Sequence, residues 1–387
     1  MNKTTQKKAT LAVHSGSHKE LNFGGVNTPI FTSSAIEYLD DSEVRYPRYF
    51  NTHNNRVVAE KLAALEHAEA ALVTSSGMAA ISIILFGSLK PGDHVVFLEG
   101  LYGGTHSMIC IEFLRQGIEY SFVAADPAAM EAAVKPNTRM LFIESPTNPL
   151  LTVLDLAAVA AVAKRHDLLA VIDGTFASPI LQNPLDHGFD IVMHSGTKYL
   201  GGHSDLCCGT IAASASLIEK LRQHALIHGG SLNAQDCALL ERSLKTLELR
   251  VQRQSDNALR VARALSKHPG VARVNYPGLE QHPGHAIAAR QMSGFGGMMS
   301  FELAEHIEPL AYLRKLKMVP CAISLGGVET TICQPVATSH QKISAEERER
   351  LGIRPALLRL SVGIEDAEDI IEDLLQGLTG GTSNVVP

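Results

Sequence analysis

Two residues at the ends of successive apolar runs raise the first chemical question. The run LLAVID closes on Asp173, and the next run, DIVMHS, leads into Gly196-Thr197-Lys198. A carboxylate and a lysine at neighbouring strand ends suit pyridoxal phosphate chemistry. The lysine joins the cofactor's aldehyde as a Schiff base, and the acid keeps the pyridine nitrogen protonated. The protonated ring then accepts the electrons left when a proton departs from the α carbon of an amino acid. Taken singly, Asp173 reads as a loop cap and Lys198 as a solvated charge. A third segment weighs against those readings. ALVTSSGMAAISIILF is patterned as a strand, a Ser-Ser-Gly turn and a helix, which aims backbone N–H groups and the helix dipole at an anion. A phosphate fits there, and Ser195 and Thr197 add hydroxyl donors from the lysine loop. Such a turn alone also occurs in sheets that bind nothing.

The elements that must position these residues follow from the hydropathy pattern. The runs ALVTSS, HVVFLE, EYSFVA, MLFIES, LLAVID and DIVMHS alternate with helical stretches such as LDLAAVAAVAKRH. That alternation predicts an α/β fold with a mostly parallel sheet covered by helices on both faces, in which ligands sit beyond the carboxyl ends of the strands. Residues 1–55 lack periodicity and read as an N-terminal arm. Order is expected from Arg56, where Val58, Leu62 and Leu65 form an amphipathic stripe. Residues 56–237 then make the large domain. A helical stretch from Ala238 to Lys267, too long for a crossover, opens a smaller C-terminal α+β domain over 238–387. Its expected strands are VARVNYP, GGMMSFEL, MVPCAISL and LLRLSVGI.

Composition narrows the function classes. The 387 residues carry 34 basic and 40 acidic side chains, a net charge of −6 with no Lys/Arg-dense block, which argues against a nucleic-acid or anionic-membrane surface. Apolar stretches break well before the ~18 residues of a membrane span, and the N-terminus has no secretory pattern. Six scattered cysteines without a C-x-x-C pair suit a reducing cytoplasm. The 17 histidines show no metal-ligand spacing: HPGH at 282–285 reads as a loop, and Met298 and Met299 as strand core.

The segments AVHSG, YPRYFN, SSGMAA, YGGT, ESPTNP, DGTFASP, HSGTKYLGGHSD, SLKTL, SLGGVET and LRLSVGIED span nearly the whole chain. Together they resemble the Cys/Met-metabolism family of pyridoxal phosphate enzymes, which includes the cystathionine γ-synthases and lyases, methionine γ-lyases and homoserine sulfhydrylases. The resemblance implies an aspartate aminotransferase-like fold of type I and pyridoxal 5'-phosphate as cofactor. Lys198 would be the Schiff-base lysine, Asp173 the pyridinium partner and Tyr102 the residue stacked on the ring. Gly77, Met78, Ser195 and Thr197 would hold the phosphate, with Asn148 beside the ring's phenolic oxygen. Tyr46 and Arg48 would complete the neighbouring subunit's site in a homo-oligomer, expected to be a tetramer, with Tyr46 also bordering substrate. Arg359, helped by Ser324, would bind the substrate's α-carboxylate in a forked pair. The implied reaction is γ-elimination or γ-replacement on a γ-substituted L-amino acid, of cystathionine γ-lyase or γ-synthase type. Methionine, O-acylhomoserines and canavanine are the alternative substrates.

Three positions depart from the family pattern. Gly174 follows Asp173 where the family usually has Asn, and Thr52-His53 replaces Pro-Thr after Asn51. The third departure bears on the substrate's distal end. Cystathionine-handling members tend to carry an acid before the arm tyrosine and a glutamate after the SLGG turn, whereas this chain has Arg45 and Glu329. Methionine γ-lyases usually place a cysteine where this chain has Gly104-Thr105. Two rival classes fare worse. Ser195-x-x-Lys198 and Ser255-Asp256-Asn257 match two signatures of serine acyl-enzymes, but K-T-G is absent and Ser255 falls inside a helical stretch. A non-catalytic relative would be expected to have lost at least one of Lys198, Asp173, Tyr102 and Arg359. No dinucleotide fingerprint or P-loop stands in its required context.

Overall fold

The computed structural model describes residues 6–17, 24–339, 341 and 344–378. The chain forms two compact units, one of residues 1–145 and 154–249, the other of 146–153 and 250–387.

The first unit is built on seven strands: β1 (Ala70–Thr74), β2 (His94–Leu98), β3 (Glu119–Val123), β4 (Thr138–Glu144), β5 (Leu169–Asp173), β6 (Ile191–His194) and β7 (Gly209–Ala213). Their spatial order is β1-β7-β6-β5-β4-β2-β3. Only β7 runs against its neighbours, pairing antiparallel with both β1 and β6. The other ladders are parallel, so β1, β4, β5 and β6 end on the same edge. Register sets Glu144 beside Asp173, and Asp173 beside Met193. Strands β2, β6 and β7 are buried along their whole length, which fits a sheet covered on both faces. The apolar pattern announces six of these strands and misses β7, whose Gly-Thr-Ile-Ala-Ala is too small and too polar to stand out.

Order begins earlier than Arg56. The helix His53–Glu66 has Thr52 at its N-cap, where the Thr52 hydroxyl donates to Asn55 Oδ1 at 3.0 Å. A further helix, Lys8–His14, buries Leu11 and Ala12. Lys8 Nζ donates to the Pro179 and Ile180 carbonyls, and the buried Lys61 Nζ donates to the Val13 carbonyl at 3.1 Å. The N-terminal stretch is thus pinned by two lysines on backbone oxygens, a tie that hydrophobic periodicity cannot reveal. The long helical stretch is also two helices, Ala234–Leu244 and Leu247–Leu265. Neither Pro nor Gly separates them. The Thr246 hydroxyl donates to the Ser243 carbonyl at 3.2 Å, ending the first ladder locally.

The second unit carries an antiparallel sheet of four strands, β8 (Val271–Asn275), β9 (Met298–Leu303), β10 (Thr331–Cys333) and β11 (Leu357–Ser361), in the order β10-β11-β9-β8. Met298 and Met299 are buried in β9. The helix Ala367–Leu378 presents Ile370 and Leu374 to a core shared with Phe301, Tyr312 and Leu358. The expected strand MVPCAISL does not form. That segment makes a single bridge, Cys321 to Ile332, and leaves extended geometry at Ser324 with φ +77°. The partner it bridges, β10, is the strand instead. Among the described residues no helix is long and apolar enough to cross a membrane, and no cluster of three or more His, Cys, Asp or Glu could hold a metal ion.

Candidate active site

In the first unit, β1 runs through Ser75-Ser76 into the helix Gly77–Ser88. Ser76 caps that helix, its Oγ accepting from Ala79 N at 3.1 Å. The leading N–H groups of a helix have no intrahelical acceptor and form an anion site. Gly77 allows a close approach here. A Cβ on it would lie 3.0 Å from Ser195 Cβ and 3.1 Å from Ser195 Oγ. The Ser195 hydroxyl therefore sits directly against the helix N-terminus.

The lysine loop is held from several sides. Lys198 N–H donates to the Ser195 carbonyl at 3.1 Å, and Gly202 N–H to the Lys198 carbonyl at 2.7 Å. The Thr197 hydroxyl faces the Cys208 backbone, donating to its carbonyl at 3.2 Å and accepting from its N–H at 3.0 Å. In this arrangement Thr197 braces the loop, while Ser195 is the hydroxyl next to the anion site.

Asp173, at the end of β5, is buried. Its Oδ1 accepts from Thr175 N–H at 3.0 Å and from the Thr175 hydroxyl at 2.5 Å, while Oδ2 has no hydrogen bond among the described residues. Burial pushes the carboxyl above the usual carboxylate range, and the two Thr175 bonds and the nearby His194 pull it partly back. A buried carboxylate with one oxygen left over suits a cationic N–H donor. The Gly174 departure also has a physical basis. A Cβ there would lie 3.0 Å from His194 Cε1 and 3.2 Å from Val192 Cγ2, so any side chain requires both to move. His194 itself is pinned through Nε2 to Glu66 Oε1 at 2.5 Å, with both side chains buried.

Tyr102 is 45% exposed and stands at the N-terminus of the helix Gly103–Met108. Its backbone N–H donates to Glu144 Oε2 at 3.1 Å. A Cβ on Gly104 would come within 2.5 Å of Tyr102 Cε1 and 3.1 Å of Met78 Sδ. The tyrosine ring therefore lies over Gly104 and near Met78, at the helix that opens the anion site. Geometry thus gathers Gly77, Met78, Tyr102, Asp173, Ser195, Thr197 and Lys198 on the carboxyl edge of one sheet. These groups fit pyridoxal phosphate: a helix N-terminus with a hydroxyl for the phosphate, an acid for the pyridine nitrogen, and a lysine on the loop starting at Ser195. Sequence reading passed over Glu144 and Thr175. Glu144 closes β4 as Asp173 closes β5, so the strand-end rule could have found it.

The second unit gathers the other predicted residues. Arg359 on β11 is buried, donating through Nη1 to Asn148 Oδ1 at 3.2 Å and through Nη2 to the Ser324 carbonyl at 3.0 Å. Its remaining donors meet no acceptor among the described residues, and no carboxylate pairs with it there. A buried guanidinium without a counter-ion is a costly arrangement that an incoming carboxylate relieves. The turn bearing Ser324 and Glu329 is clamped to the end of β11. Glu365 accepts from Thr330 N–H at 2.5 Å and from the Thr330 hydroxyl at 2.9 Å, and Ser361 Oγ accepts from Gly326 N–H at 2.8 Å. Glu329 is exposed and has no hydrogen bond or ion pair among the described residues.

On the arm, Tyr46 caps a short turn, Pro47–Tyr49, that contains Arg48, and both residues are exposed. Asn51 ties that turn down, accepting from Tyr46 N–H at 3.1 Å and donating to Glu43 and to the Val44 carbonyl, so the loss of Pro after Asn51 leaves the arm anchored. Arg48 donates to the Leu226 carbonyl and lies 5.2 Å from the Tyr49 ring centre. Arg45 is paired with Asp41 at 2.7 Å.

The comparisons with known proteins agree with this geometry. The L-methionine gamma-lyase of Fusobacterium nucleatum subsp. polymorphum is 42% identical over 385 residues, covering 95% of this chain and 97% of that protein. The cystathionine gamma-lyase of Bacillus subtilis is 43% identical over 376 residues, covering 96% and 99%. The crystal structure of cystathionine gamma-lyase from Lactobacillus plantarum complexed with L-serine superposes with a TM-score of 0.93 at 38% identity, covering 96% of this chain and 98% of that one. The fold is therefore that of the pyridoxal phosphate-dependent cystathionine lyases. With residues 9–379 matching the family described as Cys/Met metabolism PLP-dependent enzyme, the chain belongs to that family and is an enzyme whose cofactor is pyridoxal phosphate.

Proposed function

We propose that the protein catalyses γ-elimination or γ-replacement on a γ-substituted L-amino acid, of cystathionine γ-lyase or γ-synthase type. The observation that carries this reading is the pairing of Arg45 with Asp41, while Glu329 stays exposed and unpaired among the described residues. Read from sequence alone, Arg45 opposes a cationic distal group and Glu329 favours one. With its charge offset by Asp41, Arg45 no longer contradicts Glu329. The cysteine that methionine γ-lyases usually carry is also absent at Gly104-Thr105.

When bound, pyridoxal phosphate supplies the electron sink that stabilises negative charge at the substrate's α carbon. The chain's own residues do the rest. Arg359 fixes the α-carboxylate through a forked pair, with Ser324 and Asn148 setting the guanidinium plane. Gly77, Met78 and Ser195 would hold the phosphate, with Thr197 bracing the loop that carries Ser195, and Asp173 would meet the pyridine N–H. Lys198 would anchor the cofactor covalently and would take the α proton. The Tyr102 phenol then serves the β and γ carbons, the additional proton transfers that γ-chemistry needs beyond transamination. The identities to a methionine and a cystathionine γ-lyase are nearly equal, so the leaving group is left to experiment. Cystathionine, methionine, O-acylhomoserines and canavanine, each assayed with and without an added thiol, should yield 2-oxobutanoate, a new thioether or homoserine. Pyruvate from cystathionine with no γ-product from any of them would instead make the enzyme a β-lyase.

The active unit is proposed to be a homo-oligomer, a tetramer built from dimers, with Tyr46 and Arg48 completing the partner's site. Exposed Ile30, Phe31, Tyr38, Leu39, Val44 and Tyr46 on the arm support an interface there. Mixing inactive Lys198→Ala with inactive Arg48→Ala subunits should restore activity, since a hybrid dimer has one site with both wild-type parts. Absence of recovery after proven subunit exchange would mean each site is complete within one chain.

A further inference from the structure

We propose that Thr175 is a positioning residue that locks Asp173 to the Ser195–Lys198 loop, so that the pyridine end and the phosphate-and-lysine end of the cofactor site keep one spacing. The proposal rests on the reading that Asp173 meets the pyridine nitrogen. The last register pair between β5 and β6 is Asp173 with Met193, followed by one backbone bond, Gly174 N–H to the Met193 carbonyl at 3.0 Å. Beyond it the chains separate. The next link is the Thr175 side chain, whose Oγ accepts from Ser195 N–H at 2.9 Å and donates to Asp173 Oδ1 at 2.5 Å.

A hydroxyl has one hydrogen and two lone pairs, and this one uses its hydrogen on the carboxylate and a lone pair on the loop. Thr175 N–H reaches the same Oδ1 at 3.0 Å. Two donors on one oxygen stop the carboxylate from rotating and leave Oδ2 for the ring nitrogen. Both bonds also favour the ionised acid against the effect of burial. The backbone half of this arrangement is an ordinary Asx turn, common in loops that bind nothing. The hydroxyl bridge to Ser195 goes further, joining two segments that contact opposite ends of the cofactor.

The test is the dissociation constant of pyridoxal phosphate, measured by equilibrium dialysis on wild type, Thr175→Val, Thr175→Ser, Asp173→Asn and the Asp173→Asn/Thr175→Val double variant. Thr175→Val should weaken binding about tenfold or more, the range for a lost hydrogen bond to a charged group, and Thr175→Ser should stay within about threefold. In the Asp173→Asn background the valine should add less than about twofold, because the group it acts through is already altered. Thr175→Ala removes the hydroxyl without a branched replacement and serves if the valine variant misfolds. Wild-type affinity in Thr175→Val and Thr175→Ala, or a loss that persists in full in the double variant, overturns the proposal. If Asp173→Asn weakens binding while Thr175→Val does not, only the Thr175 role fails. Unchanged affinity in Asp173→Asn removes the pyridine reading, and the Thr175 role with it.

Discussion

Lys198→Ala protein should be colourless after removal of free cofactor and should turn over at least ~10³-fold more slowly than wild type. On the proposed role, the substitution removes both the covalent anchor and the group that takes the α proton, and proton transfer by a positioned side chain alone contributes roughly 10²–10⁴-fold. The loop should survive it, because the Ser195, Lys198 and Gly202 backbone bonds and the Thr197 hydroxyl hold its shape independently of the lysine side chain. Borohydride reduction of the wild-type holoenzyme followed by peptide mapping should place the tag on Lys198. A tag on another lysine would remove Lys198 from its role.

The second large effect is expected from Asp173→Asn, and it has opposite signs with and without cofactor. In the cofactor-free chain, burial raises the Asp173 pKa above its unfolded value. The folded state therefore holds this proton more tightly, a contribution fully present below the unfolded pKa and lost as pH rises through the folded pKa. Ionising this half-satisfied carboxyl costs the apoprotein stability, so above the folded pKa the asparagine variant should melt no lower than wild type, and it should lose any advantage in acid. With cofactor bound, a pyridinium paired with the carboxylate as proposed would draw its pKa down, and asparagine cannot supply that charge. A charged hydrogen bond worth about 1.5–3 kcal/mol corresponds to ~10- to 10²-fold in rate, the loss of turnover expected. Differential scanning of apoprotein across pH, with turnover measured in parallel, checks both signs. Near wild-type turnover in Asp173→Asn would end the electron-sink role.

The amino-acid order alone determined the mostly parallel sheet, because strands buried on both faces carry short unbroken apolar cores, as in the runs HVVFLE, MLFIES and DIVMHS. It also singled out Asp173, Lys198 and the Ser-Ser-Gly turn, since a strand end is a position that can be read along the chain. Full-length resemblance then supplied roles for Tyr102, Arg359 and the arm that periodicity could not. Other features depended on distant contacts. β7 is a strand because β1 and β6 both pair with it, not because Gly-Thr-Ile-Ala-Ala prefers to be one. MVPCAISL has the composition of a strand, yet β10 takes the place beside β11. Lys8 and Lys61 order the N-terminus by reaching carbonyls far away in sequence. The site shows the same division. Asp173 is visible as an acid at a strand end, but Thr175 occupies Oδ1 and leaves Oδ2 open only after β5 and β6 are side by side. Arg45 conflicts with Glu329 on paper, and Asp41, four residues before it, offsets its charge once the arm is folded. Local propensity and burial are properties of a segment and can be read from it, whereas a hydrogen bond or ion pair depends on a distance that only the folded chain sets.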